Sequence, residues 1–376
     1  MGHIVTGSTP PTANIEYYGG EKLFVSPADM NVGRYVSNTK TLLSDEGFKK
    51  GRLIKADSVM FVCIGSTIGK IAQNKIECIT NQQINSIITN ESNVSDFIYS
   101  RLEKDAYRIS LLAGEQAVPL INKTDFSNVE IVVPELAEQQ KIADFLSAVD
   151  DKITALTAQK TALTQYKQGM MQRIFAQTLR FKDDNGADYP EWVIYQLAQF
   201  LTPVIRQIPK PDKPYLAIGV RSHFKGLFQK PDSEPEKIDM DVLYQVEEND
   251  FVVNITFAWE GALAIANSSD SGGLVSHRFP TYRINPKFAL VNFFRYVYPT
   301  KQFKSMLELC SPGGAGRNRV LNKSQFLKIE TKLPSIDEQS KIAQFLTELD
   351  DKINAVDAQI QSAQQWKQGL LQQMFV

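Results

Sequence analysis

Side chains able to meet nucleic acid fall in four short runs of this sequence. In Gly65-Ser66-Thr67-Ile68-Gly69-Lys70, the hydroxyls of Ser66 and Thr67 and the ammonium of Lys70 are groups that bond phosphate oxygens. Asn81, Gln82 and Gln83 stand side by side, and a carboxamide can donate to and accept from an adenine edge at once. Arg221, His223 and Lys225 alternate before Gly226, and Arg317 and Arg319 follow Gly313-Gly314-Ala315-Gly316. Guanidinium groups donate in pairs to guanine or phosphate, and glycine lets a backbone come close to a phosphate. Each run also has a plainer reading. Residues 81–83 suit a polar turn that stabilises the strand beginning at Ile84, and the basic runs suit charged surface loops. Trp259 reads as a core residue rather than a ring that stacks on a base.

Other chemistry fits the residues less well. Residues 65–70 lack the G-x-x-x-x-G-K-[ST] spacing of a nucleotide phosphate loop. Asp150-Asp151 and Asp350-Asp351 invite an acid–base or metal reading. They stand beside Lys152 and Lys352, away from any histidine or cysteine cluster, and read as solvated faces or protein-docking positions. Cys63, Cys78 and Cys310 are odd in number and His3, His223 and His277 are scattered, so buried free thiols are expected and a metal centre is not. Pro231-Asp232 and Glu330-Thr331-Lys332 have the residue types of a nuclease site but lie far apart in the chain. Neither the glycine-rich cofactor motif nor the Asn/Asp-Pro-Pro-aromatic motif of a DNA methyltransferase occurs.

The elements that must position the candidate groups come in two copies. Residues 134–175 return at 334–375: Glu138-Gln139, Lys141-Ile142-Ala143, Phe145-Leu146, Asp150-Asp151-Lys152-Ile153 and Lys167-Gln168-Gly169 each recur two hundred positions later. Apolar residues at alternating steps of four and three run from Ile142 through Leu146, Val149, Ile153, Leu156 and Leu163 to Ile174, broken by Lys160 and Lys167. The copy runs from Ile342 through Leu346, Leu349, Ile353, Val356, Ile360, Ala363 and Leu370 to Met374, broken by Lys367. Such a stripe predicts a long coiled-coil helix starting at each proline, Pro134 and Pro334. At about 1.5 Å per residue each would be about 60 Å long. Gly169 and Gly369 cost such a helix about 1 kcal/mol each relative to alanine, which suggests a close helix approach or a bend.

The remaining sequence predicts two unlike α+β units, with strands over residues 58–64, 84–88, 250–257 and 262–266 and a helix over 95–110. A polar connector at 182–190 opens the second unit. The units match only near their ends, where Ile121-Asn122-Lys123-Thr124-Asp125-Phe126 faces Leu321-Asn322-Lys323-Ser324-Gln325-Phe326. Short connections favour antiparallel pairing of the helices, a pseudo-twofold arrangement. Readers held about one turn of DNA apart, roughly 34 Å, could share one side of a duplex.

The 376 residues, 43% hydrophobic and 22% charged, suit a globular multidomain chain. No run of eighteen apolar residues and no signal-peptide pattern is present, so a cytoplasmic protein is expected, with no membrane partner. The net charge of -1 does not advertise a nucleic-acid binder, yet within residues 278–332 eleven Lys or Arg stand against Glu308 and Glu330 alone. A coiled-coil scaffold that binds only proteins accounts for the helices, but not for two large units or this basic segment.

These residues together resemble the specificity subunit of a type I restriction-modification enzyme, over nearly the whole chain. The resemblance rests on Gly7-Ser8-Thr9-Pro10, Thr67-Ile68-Gly69-Lys70, Asn81-Gln82 and Gly313-Gly314-Ala315-Gly316-Arg317-Asn318-Arg319-Val320-Leu321. Above all it rests on Pro-x-x-x-Glu-Gln-x-Lys-Ile-Ala-x-Phe-Leu-x-x-x-Asp-Asp-Lys-Ile at both Pro134 and Pro334. It implies an α+β fold with target-recognition domains at 1–133 and 181–333, separated by long helices at 134–180 and 334–376 that form an antiparallel coiled coil. It implies a non-catalytic subunit in which each domain reads half of a bipartite site in double-stranded DNA. The helices would set the gap and dock two methyltransferase subunits, through positions such as Phe145, Leu146 and Ile153 and their counterparts Phe345, Leu346 and Ile353. Restriction subunits would complete the complex. S-adenosylmethionine, and ATP with Mg for restriction, would belong to those partners, with no cofactor in this chain. A short segment comparable to residues 189–200 precedes the first Gly-Ser-Thr-Pro in that family. Here six residues do, so a trimmed start and a doubtful first strand are expected.

Overall fold

The computed structural model describes residues 1–30, 33–114, 117–313 and 319–375. These divide into two units, one of residues 1–165 with 352–376, the other of residues 166–351. Each unit holds one globular half and part of both long helices, Leu136–Phe175 and Ile336–Met374.

In the first unit a sheet runs in the order Gly2–Thr6, Ile84–Thr89, Val59–Val62, Ile71–Asn74 and Tyr35–Val36. The doubtful first strand is present, paired in register from Gly2 with Thr89 to Thr6 with Asn85. All of Val59–Val62 is buried, because successive side chains enter different cores. Val59 and Phe61 pack toward the helix Ser95–Ser110, while Met60 and Val62 pack toward a second sheet. That sheet has the order Thr41–Leu43, Tyr18–Val25, Cys78–Thr80 and Leu53–Ile54, with its middle pair parallel.

The second unit repeats this plan in different residues. Leu201–Val204, Thr281–Ile284, Phe251–Val253 and Leu263–Ile265 form a sheet in the matching order. Its other sheet places Tyr215–Val220 parallel to Leu274–Val275, flanked by Leu227–Ser233 and Val242–Gln245. The expected unlike units are therefore one topology. Strand alternation and turn placement fix a topology, and many sequences satisfy both.

The residues that do recur are anchors. Asn122 caps a short helix by accepting from the Asp125 amide at 2.8 Å, and Asn322 accepts from the amides of Ser324 and Gln325. Gln139 and Gln339, both buried, bind the neighbouring globular backbone through both ends of the amide. Oε1 accepts from Val94 N at 2.9 Å in one unit and from Leu290 N at 2.8 Å in the other, while Nε2 donates to Pro134 O or Pro334 O.

The lysines that interrupt the apolar seam are partnered, and the pairing is antiparallel in each unit. In the first, Lys160 Nζ lies 2.6 Å from Asp357, and Lys367 Nζ lies 2.6 Å from both Asp150 and Glu103. In the second, Lys167 Nζ lies 2.5 Å from Asp350, which also accepts from the Tyr296 hydroxyl. Asp150 and Asp350 are thus not solvated faces; only their neighbours Asp151 and Asp351 are exposed. Leu156, Val356 and Ile360 form the apolar contact of the first unit's helix pair, and Ile174 shares the second unit's core with Ile342 and Leu346.

Gly169 and Gly369 do not mark a close approach, since a Cβ at either would meet nothing within 4 Å. Alanine at each should therefore stabilise the chain by about 1 kcal/mol. Urea denaturation of Gly169→Ala and Gly369→Ala measures this, and a loss of stability would show a close contact in solution.

Candidate nucleic-acid interface

The candidate residues of the first unit gather at the ends of neighbouring strands. Residues 65–69 form the turn between Val59–Val62 and Ile71–Asn74, with Gly65 at φ 93° and Gly69 at φ 95°. Ser66 is exposed at its tip, Thr67 is half-buried, and Lys70 donates from Nζ to Pro27 O at 3.3 Å. Residues 81–83 form the turn that follows Cys78–Thr80. There Asn81 Oδ1 accepts from Gln83 N, Asn81 Nδ2 donates to Gln83 Oε1, and Gln83 Nε2 donates to Ile64 O. Asn81 and Gln83 therefore support the two turns, as the plainer reading held. Gln82 is exposed and held by the Thr9 hydroxyl at 2.7 Å, which brings the Gly7-Ser8-Thr9-Pro10 segment to the same edge. Exposed Arg52 joins that edge by donating to Thr6 O at 2.9 Å. Nothing in its sequence neighbourhood marked it, because the second sheet brings it there.

Arg221, His223 and Lys225 are all exposed on the loop that joins Tyr215–Val220 to Leu227–Ser233. His223 and Phe224 have positive φ, and their amides donate to Glu260 O and Gly261 O, both at 2.8 Å. This docks the loop on the turn before Leu263–Ile265, the counterpart of residues 65–69. Ser222 donates to Glu260 Oε2 at 2.8 Å. Arg319 lies with its guanidinium 5.2 Å from the centre of the Trp259 ring, so Trp259 is half-buried under a cation rather than a core residue. Arg317 lies outside the described residues.

The counterpart of residues 81–83 is the turn at 276–278. Arg278 N bonds Ser276 Oγ at 3.3 Å as Gln83 N bonds Asn81 Oδ1 at 3.1 Å. Ile255 N donates to Arg278 O as Cys63 N donates to Gln83 O. His277 and Arg278 are exposed at this turn and stand where Gln82 and Gln83 stand. Sequence reasoning passed over both, since no residue identity links the two turns. A groove of about 470 Å³ lies beside the 221–226 loop, lined by Ser222, Phe228, Lys230, Asn254, Glu260 and Phe279 among others. Each unit thus presents hydroxyl, amide or basic groups from non-adjacent turns at one edge, an arrangement that can meet base edges and phosphates together.

The spacer positions divide by exposure. Leu146 and Leu346 are fully buried within their own units and hold helix to core, so their surfaces are closed to partners. Ile153 and Ile353 are half-buried, and Phe145 is exposed against Trp366. The cysteines are free and buried, and burial pushes the Cys63 thiol up to about 11 and Cys78 up to about 12. Among the described residues no group of three or more His, Cys, Asp or Glu could hold a metal.

Gly261, at φ 81°, leaves room for the Phe224 ring, which a Cβ there would meet at 2.8 Å. Gly261→Ala should cost about 1–3 kcal/mol and release the 221–226 loop. Chemical denaturation together with amide exchange in that loop checks this.

The family model for the type I restriction modification DNA specificity domain matches residues 1–165 and 206–363. A HindI specificity subunit from Haemophilus influenzae is 27% identical over 179 residues, 46% of this chain and 39% of that protein. A MjaIX specificity subunit from Methanocaldococcus jannaschii is 28% identical over 189 residues, 49% of this chain and 44% of that protein. The chain thus spans less than half the length of these two relatives. The crystal structure of a type I restriction-modification S subunit from M. genitalium is similar in fold, at a TM-score of 0.61 and 14% identity over 100% of this chain and 93% of that one.

Proposed function

Because the chain belongs to the type I restriction modification DNA specificity family, we propose that it is the subunit that gives a DNA-modifying complex its target sequence. Each unit reads one half of a bipartite site in double-stranded DNA, and the paired helices set the gap between the halves. The observation that carries this reading is the equivalence of the turns 81–83 and 276–278: one backbone frame presents Gln82 in one unit and His277 and Arg278 in the other. A frame held constant while the side chains change is what two half-sites of different sequence require. The basic groups around each turn supply the phosphate contacts that fix register without reading bases.

Adenine methylation and DNA cleavage belong to partners in this reading: two methyltransferase subunits that carry S-adenosylmethionine, and restriction subunits that use ATP with Mg. The chain's own part is to bind and orient. A cytoplasmic location follows from these partners. No helix among the described residues is long and apolar enough to cross a membrane.

Selection from a randomised duplex pool at fixed salt, with and without the methyltransferase subunit, tests the proposal. A split motif with an invariant gap is expected; salt-sensitive binding without a motif, even with the partner present, would reduce the chain to a nonspecific scaffold. Arg278→Ala should cost about 1–3 kcal/mol of discrimination at one half-site and leave the other unchanged. Lys225→Ala should weaken all sequences alike and lower the salt slope by about one.

A further inference from the structure

The second unit sets one carboxylate among the cations of its candidate interface. Arg221, His223, Lys225 and Lys230 are exposed there, and the Arg319 guanidinium lies over Trp259, the residue before Glu260. Glu260 is half-buried and lines the groove beside the 221–226 loop, whose wall includes Phe228, Phe257 and Phe279. Its Oε2 accepts from the Ser222 hydroxyl at 2.8 Å. Among the described residues its Oε1 has no hydrogen-bond partner and the side chain no ion pair. Asn254, 8% exposed, lines the same groove; its Oδ1 accepts from Thr256 N at 3.1 Å, and among the described residues its Nδ2 has no partner.

The backbone frame does not ask for an acid at this position. The bonds from Asn254 N to Ala262 O and from Ile255 N to Arg278 O match those from Val62 N to Lys70 O and from Cys63 N to Gln83 O. Glu260 therefore stands where Ile68 stands, and Ile68 packs against the core of the first unit. Docking of the 221–226 loop does not ask for one either, since it runs through the amides of His223 and Phe224 to the carbonyls of Glu260 and Gly261. A carboxylate on a surface that meets phosphates lowers the attraction for every sequence, so its use there lies in what it accepts. An ionised carboxylate accepts hydrogen bonds and donates none. The base edges of a duplex donate only from exocyclic amines: cytosine N4 and adenine N6 in the major groove, guanine N2 in the minor. Thymine O4 and guanine O6 would meet the carboxylate lone pair to lone pair.

We propose that Glu260 reads the exocyclic amine of one base in the half-site of the second unit, with Oε1 accepting an amine hydrogen. The inference rests on the DNA-reading proposal and deepens it, by naming a residue that selects through its charge rather than in spite of it. Ser222 fixes the orientation of the carboxylate, and the aromatic wall lowers the local dielectric, which strengthens the bond to the right base and the repulsion of the wrong one. The amide nitrogen of Asn254 is a donor in the same groove, and every such amine has an acceptor beside it on the base-pair edge.

The test is selection from a randomised duplex pool by the full chain with the methyltransferase subunit, using the wild type, Glu260→Ala and Glu260→Gln. Glu260→Ala should relax one position of one half-site about tenfold or more, through loss of a charge-assisted hydrogen bond. Glu260→Gln can still accept from Ser222 but places an amide donor in the groove, so the preference at that position should move away from the amine-bearing base. Both variants should bind duplexes that lack the motif more tightly than the wild type at low salt, because a negative charge has left the surface. A base analogue at the affected position then removes the amine alone: pyrimidin-2-one for cytosine, purine for adenine or hypoxanthine for guanine. The analogue that lowers wild-type affinity about tenfold and leaves Glu260→Ala indifferent identifies the base. A wild-type motif that both variants keep at every position would overturn this inference and leave the DNA-reading proposal standing. Uniform weakening on all duplexes, with faster amide exchange in the 221–226 loop, would also overturn it, since the carboxylate would then serve only to hold Ser222. No motif from the wild type would sink the DNA-reading proposal and this inference with it.

Discussion

A lysine paired with an aspartate across the two long helices fixes each unit to the helix pair, and the rest of the architecture is arranged around it. Lys367 is 5% exposed between Asp150 and Glu103, and its ammonium lies 5.5 Å from the Tyr99 ring. Arg34, also buried, adds a 2.6 Å contact to Asp96 and donates to Gln73. One network therefore joins both long helices, the helix Ser95–Ser110 and the strand Ile71–Asn74. Burying these charges costs several kcal/mol per ion, and removing one partner leaves another unpaired at about 3–5 kcal/mol. Burial raises Glu103 above the ordinary glutamate range even with Lys367 against it. The charge of Glu103 is thus held at a cost, and its contribution to stability is greatest below the ordinary glutamate pKa and is lost as pH rises through the raised one. Such an arrangement adds little stability but discriminates strongly against a slipped register.

The second unit keeps the pair and changes its setting. Lys167 meets Asp350, with Tyr296 supplying a hydroxyl to the carboxylate and its ring to the ammonium at 5.0 Å. Burial is the main cause that pushes the Tyr296 hydroxyl up to about 12, so it stays a donor throughout the neutral range. The repeated residues are those that join the long helices to each other and to the globular halves: the lysine, the aspartate and the glutamines at 139 and 339. Between them the sequence is free to vary as long as strands alternate and turns fall in place. That separation of a fixed frame from variable turns is what lets one architecture present different groups at equivalent turns.

Most of the frame was legible beforehand. The doubled motif and the four-three apolar stripe specify two long helices, and their antiparallel sense within each unit follows from short connections. The partnership of the seam lysines was not legible, because a lysine in an apolar stripe reads as an interruption until its carboxylate is located across the helix. The common topology of the two units was equally hidden: the matching strands share alternation but almost no identities. At the candidate interface, Gln82 and the 221–225 group were visible through residue type. His277 and Arg278 required the sheet order, and Arg52 required the second sheet to carry it beside the Gly7-Ser8-Thr9-Pro10 segment.

Ultraviolet cross-linking of the full chain to a duplex pool, with peptide mass spectrometry of the adducts, tests most directly whether both units use equivalent turns on DNA. Adducts within residues 65–70 and 81–83 of the first unit, and within 221–226 and 276–278 of the second, are predicted to appear together and to fade together with added salt. Adducts restricted to one unit, or confined to the exposed faces of the long helices, would contradict the account.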